Sequence, residues 1–162
     1  MTEEMILPPQ AREAEQALLG SVLINPAAYR EVAKFLQPED FYVKRHGTIW
    51  EIIVRLMEQN LPVDYVTLVH KLDQAGKLEE AGGPAYLVGL LNSVPNSMHA
   101  EAYGHLIQQA AVRRRMIEAA NQTARLAYCD KPLEEVIDEA EKALMQASER
   151  VASHNTLPSL KF

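Results

Sequence analysis

From about Ala100 to Ala127 the chain carries no proline and one glycine, Gly104, near the start. Within it Tyr103, Ile107, Ala110, Ala111, Ile117, Ala120 and Ala124 recur at helical spacing as a narrow stripe, much of it alanine. Asp130-Lys131-Pro132 interrupts the pattern and opens a second one, with proline in the first turn and Glu134-Glu135 near the positive end of the helix dipole. Leu133, Val136, Ile137, Ala140, Leu144, Ala147 and Val151 then repeat at three and four. Helices of about 25 and 20 residues rise 1.5 Å per residue and so run roughly 38 and 30 Å. Joined by a short turn, they fold back as an antiparallel hairpin.

Two helices alone bury one seam and leave other apolar positions open. The stripes therefore predict that the hairpin pairs with another copy, most simply two-fold, through Ile107, Ala110, Ala111, Val136, Ile137, Ala140 and Leu144. The competing arrangement packs the hairpin back onto the preceding part of the chain. After Val151 the pattern dissolves into Ala152-Ser153-His154-Asn155-Thr156, so residues 152–162 read as a linker whose Leu157, Leu160 and Phe162 have no evident cover.

Residues 10–95 have the same helical character in shorter pieces. Ala14, Ala17, Leu18 and Val22 mark a first helix, which Asn25-Pro26 ends while starting the next. Tyr29, Val32, Ala33 and Leu36 give the second its stripe. After the turn Pro38-Glu39-Asp40-Phe41 come Ile49, Trp50, Ile53, Leu56 and Met57, with Trp50 expected in the core. Asp64 caps a helix that Gly76 closes, and Pro84 opens a short one holding Tyr86, Leu87, Leu90 and Leu91. The fold class is all-α: a globular multi-helix head over 10–95, then a hairpin over 96–151.

Composition excludes several classes. Apolar residues make up 48% of the 162, too many for a disordered chain, and no run approaches the roughly 18 apolar residues of a membrane span. One cysteine, Cys129, rules out an internal disulfide framework and fits a reducing, cytoplasmic setting. The net charge of −6 repels a phosphate backbone. Residues 1–100 hold 8 basic and 13 acidic groups, whereas residues 101–162 hold 8 and 9. The run Arg113-Arg114-Arg115 keeps one alternative open, a helical nucleic-acid-binding domain using this run with Lys131.

No catalytic constellation stands out. Gly82-Gly83 is followed by Pro84 rather than by Lys and a hydroxyl residue, so it does not form a triphosphate-cradling loop. The five histidines are scattered, and Glu101 with His105 supplies at most two ligands on one helix face. Cys129 stands beside Asp130, which gives a thiolate no stabilisation. The sequence therefore predicts no catalytic, cofactor-binding or metal-binding residue in this chain.

One ordered string of residues resembles a known family. Pro8-Pro9-Gln10 and Glu13-Ala14-Glu15-Gln16-Ala17-Leu18-Leu19-Gly20-Ser21-Val22-Leu23 are followed by Pro38-Glu39-Asp40-Phe41-Tyr42, His46 and Ile49-Trp50. Pro62-Val63-Asp64, Val66-Thr67, Leu72, Gly76, Leu78-Glu79, Gly82-Gly83, Ala85-Tyr86-Leu87, Val94-Pro95 and Tyr103 complete it. Over residues 8–151 the chain resembles the amino-terminal part of bacterial replicative DNA helicases of the DnaB family.

The resemblance implies a head and hairpin whose copies pair into the collar of a hexameric ring and dock the carboxy-terminal domain of primase. It implies a homo-oligomer from dimer to hexamer, a helicase loader as a further partner, and single-stranded DNA threaded through the full ring. ATP and Mg would belong to a motor domain beyond residues 152–162. Primase contacts are expected from Glu13, Tyr86, Arg114, Ile117 and Leu126. For Tyr86 and Ile117 the alternative is joining head to hairpin, and for Glu13 it is stabilisation of a helix dipole. Many relatives carry an asparagine shortly before the tyrosine that opens the hairpin. Here His99 is near that place, which leaves the start of the long helix open.

Overall fold

The computed structural model describes residues 6–152, with side chains described to Glu149. Among these residues there is no strand. The helices are α1 (Arg12–Ile24), α2 (Tyr29–Ala33), α3 (Lys44–Glu58), α4 (Tyr65–Gln74), α5 (Gly83–Asn92), α6 (Ala100–Ala127) and α7 (Leu133–Ala152). Short 3-10 turns occupy Pro26–Ala28, Pro38–Asp40 and Ser97–His99. The expected linker over residues 152–162 lies, beyond Ala152, outside the described residues.

Local chemistry explains most boundaries. Asn25 accepts from the Ala27 amide at 3.3 Å and opens the 3-10 turn that leads into α2. Asp64 accepts from the Thr67 amide at 2.8 Å and starts α4. Gly76 adopts φ +68°, the left-handed conformation that lets the chain leave α4. Asn96 accepts from the Met98 amide at 2.9 Å, so the Ser97–His99 turn is capped and α6 begins at Ala100. The cap is thus supplied one turn ahead of the expected place, which fixes the start of the long helix.

The described residues form two compact units, Gln10–Gln109 and Ala110–Ala152 together with Ile6–Pro9. The break between these units falls inside α6, between Gln109 and Ala110. In the first unit Leu18, Leu19 and Val22 of α1, Ile49, Trp50, Ile53 and Leu56 of α3, Leu68 and Leu72 of α4, and Leu87 and Leu90 of α5 share one core. Trp50 is fully buried, with Tyr29 and Phe41 tilted against it at 5.4 and 5.6 Å between ring centroids. The opening turns of α6 belong to this core through Ala100 and Ile107. Gly104 permits that: a Cβ there would stand 2.7 Å from Val32 Cγ1 and 3.0 Å from Phe35 Cζ. His105 stacks on Phe35 at 4.5 Å.

In the second unit α6 continues to Ala127 and α7 returns after a five-residue connection around Pro132, whose carbonyl accepts from the amides of Glu135 and Val136. Among the described residues no helix is long and apolar enough to cross a membrane.

Candidate assembly and docking surfaces

The hairpin unit exposes what its sequence pattern marks as a seam. Leu133 and Leu144 keep 73% and 53% of their surface in water, and Met116, Ile117, Ile137 and Met145 are also exposed. Met116, Ala119, Ala120 and Thr123 of α6 with Ala140, Glu141 and Leu144 of α7 line a groove of about 470 Å³ whose walls are almost entirely apolar. Three of its seven lining residues are alanines, whose short side chains leave room between the helices. Contiguous exposed apolar surface of this kind marks interaction sites and ligand grooves.

The seven residues expected to mediate self-association divide accordingly. Ile137 and Leu144 are exposed, Val136 and Ala140 are half-buried, and Ala140 and Leu144 line the groove. Ile107, Ala110 and Ala111 are a correction. Ile107 is 1% exposed and belongs to the core of the first unit, and both alanines are buried within the single chain. A periodic stripe reports that something covers it, and here the cover is intramolecular.

The charges of the hairpin are segregated. α6 carries four arginines against two glutamates, and α7 carries six acidic against two basic residues. Arg114 of the basic run is half-buried, and its guanidinium donates to the Pro9 carbonyl at 2.8 Å. Lys131 bonds Glu139 at 2.8 Å across the turn, and that hydrogen bond holds the ammonium above its usual pKa. A row of arginines laid open for a nucleic-acid backbone is therefore not what the run forms.

In the first unit the candidate residues occupy different settings. Glu13 is exposed on α1 and borders a 370 Å³ groove shared with Ala17, Ser93, Pro95, Tyr103 and Leu106. Tyr86 is half-buried, with the Arg45 guanidinium 4.8 Å from its ring centre. Its hydroxyl bonds His46 Nε2, and His46 Nδ1 lies 2.9 Å from Glu15 Oε1. Glu15 also accepts from the amides of Tyr42 at 3.0 Å and Val43 at 3.2 Å. This buried relay joins α1, the start of α3 and α5, and the expected site residues did not include it beyond Tyr86. Its signal is an acid, Glu15, set among the apolar positions Ala14, Leu18 and Leu19 of α1. In the second unit Ile117 is exposed and Leu126 half-buried.

The Gly82-Gly83 turn lacks the parts of a triphosphate-cradling loop. Gly82 and Gly83 have φ of +98° and +81° and open α5, but Pro84 offers no amide and no Lys-Ser/Thr pair follows. No group of three acidic, histidine or cysteine side chains that could hold a metal ion occurs among the described residues.

Comparison with known proteins agrees with this architecture. The family model described as the DnaB-like helicase N-terminal domain matches residues 7–109. The replicative DNA helicase DnaB of Geobacillus stearothermophilus is 37% identical over 145 residues, which are 89% of this chain and 32% of that protein. The chain thus spans about a third of the length of this curated relative. The N-terminal domain of DnaB helicase from Mycobacterium tuberculosis superposes with a TM-score of 0.83 at 32% identity, covering 86% of this chain and 99% of that one. The N-terminal domain of DnaB helicase from Helicobacter pylori, described with its interactions with primase, gives 0.62 at 26% identity over 73% of this chain and 92% of its own. A family match spanning both the shared core and the start of the long helix places this chain in the DnaB-like helicase N-terminal domain family.

Proposed function

We propose that this chain is the assembly and primase-docking domain of a hexameric replicative DNA helicase, acting in unwinding and priming at a cytoplasmic replication fork. It performs no catalysis itself. ATP hydrolysis with Mg belongs to a motor domain in the rest of the full-length protein, and single-stranded DNA meets the ring as a whole. Within this division the part of residues 96–151 that lies beyond the shared core serves subunit pairing, and residues 152–162 begin the connection to the motor.

The observation that carries the reading is the uncovered apolar groove between α6 and α7, flanked by exposed Ile117, Ile137 and Leu144. Pairing two such hairpins covers both grooves at once, which a two-fold interface does by construction. The segregated charges support the same geometry, since α6 of one copy facing α7 of another sets arginines against acids. The primase assignment draws on the relative described with primase, on Glu13 at its groove, and on Tyr86, Arg114, Ile117 and Leu126 as mixed aromatic, aliphatic and charged anchors. A helicase loader is a further partner of the same domain.

Light scattering on the chain alone and mixed with a primase carboxy-terminal domain tests both halves. Self-association at tens of micromolar, roughly, together with a heavier mixed species is expected. A monomer that ignores the primase domain would overturn the reading. Saturable binding of DNA that weakens steeply with salt would favour a nucleic-acid-binding domain instead.

A further inference from the structure

The C-terminal ends of α3 and α4 meet around a pocket of about 240 Å³. Ile52 and Leu56, both buried, form its apolar floor. Arg55 and Gln59 at the end of α3 stand on one side, Lys71 and Gln74 of α4 on the other. No acid lines this pocket, although residues 1–100 hold 13 acidic groups against 8 basic ones. Glu51 bonds Arg55 at 2.8 Å, but the same carboxylate is shared with Lys77 at 3.4 Å. Lys71 is half-buried and enters no ion pair among the described residues. Asp73, two positions on, is about 200° round the helix from it.

Cations in the last turn of a helix offset its dipole, which is the plain structural use of Arg55 and Lys71. Neither is needed as a cap. The Arg55 and Leu56 carbonyls accept from the amides of Gln59 and Leu61, and those of Lys71 and Leu72 accept from Ala75 and Lys77. Both cations therefore keep donors to spare above an apolar floor, with two glutamine amides beside them. A carboxylate next to an aliphatic group satisfies both parts of that set, whereas a bare phosphate would leave the floor uncovered. We propose that this pocket takes an acidic peptide segment of a partner protein. An Asp or Glu carboxylate sits between Lys71 and Arg55, and a neighbouring aliphatic side chain covers Ile52 and Leu56. The site lies wholly within the first unit, so it needs no second copy and does not rest on hairpin pairing.

Amide NMR of the whole chain, titrated with the peptide Ac-Gly-Asp-Leu-Asp-Gly-amide, reads the site directly. Saturable shifts centred on residues 52–59 and 71–75 are expected, with a Kd on the order of a millimolar for so short a peptide. Lys71→Met keeps the aliphatic stem, so it should keep the wild-type unfolding transition while weakening binding about ten-fold. Peptides with Asn in place of Asp, or Ser in place of Leu, should each lose about the same factor. An Asn peptide or a Lys71→Met chain that binds as tightly as the original pair would overturn the carboxylate seat. Inorganic phosphate that shifts the same amides at lower concentration than the peptide would replace the peptide with a free anion. Shifts centred elsewhere, or none up to roughly ten millimolar peptide, would overturn the site itself.

Discussion

His46 Nδ1 and Glu15 Oε1 stand 2.9 Å apart with both side chains buried, although 31 positions separate them in the chain. The carboxylate also collects the Tyr42 and Val43 amides just ahead of α3, so one side chain of α1 serves donors from another element. A neutral imidazole that donates from Nδ1 accepts the Tyr86 hydroxyl proton at Nε2, and each polar group then has its partner. Replacing Glu15 with alanine strands one buried donor, His46, and two half-buried amides, at about 2–3 kcal/mol, whereas Tyr86→Phe loses one bond and costs about 1 kcal/mol. Urea unfolding followed by circular dichroism ranks the two. Equal and small losses would show that the relay adds nothing to the fold.

Close helix approach gives a second prediction. A Cβ on Gly20 would stand 2.2 Å from the Leu90 carbonyl oxygen and 2.3 Å from Val94 Cγ2, so α1 and α5 meet backbone to side without room for a methyl. Gly20→Ala gains helix propensity worth about 1 kcal/mol, but the clash is with backbone and costs about 1–3 kcal/mol. A net loss of stability in thermal unfolding is expected. A stabilised variant would show that the two helices separate freely.

Alkaline conditions probe Tyr29. Burial, with the Glu58 carboxylate adding to it, pushes the Tyr29 phenol above its ordinary value near 10. The folded state therefore holds this proton more tightly than the unfolded chain does. The corresponding stability is fully present below about pH 10 and is lost as pH rises through the folded-state value. Tyr29→Phe should flatten the fall of the urea midpoint above about pH 10 relative to wild type. Parallel curves for the two proteins would refute the assignment.

Most element boundaries were legible because each rests on local chemistry. Asn25, Asp64, Gly76 and Pro84 act within four residues of themselves, which is the range a sequence window sees. Trp50 was legible from its place in a long stripe. Ile107 was not, because α6 passes from one compact unit to the other without a change in its period. Glu15 was hidden for the complementary reason: its partners lie 27 to 31 residues away, and nothing in α1 announces donors from the start of α3. Asn96 was within reach, but its bond to Met98 caps a 3-10 turn one step before the helix it starts.

The hairpin surface can be challenged without touching the fold. Leu144 is half exposed at the rim of the groove, so Leu144→Asp leaves the core intact and adds a charge that must be desolvated when a second hairpin arrives. Ile137→Asp acts in the same way about two turns away on α7. Both should weaken self-association by a factor of about ten or more at unchanged thermal stability. Added salt should weaken the wild-type pairing as well, because the arginines of α6 and the acids of α7 are screened from one another.

Sedimentation equilibrium of the wild-type chain beside Leu144→Asp tests the central claim most directly. The wild-type chain should associate at roughly micromolar to tens of micromolar concentration while Leu144→Asp stays monomeric, a difference of a few kcal/mol in association. A wild-type chain that remains strictly monomeric across that range, or a variant that pairs as tightly as wild type, would contradict assembly through this groove.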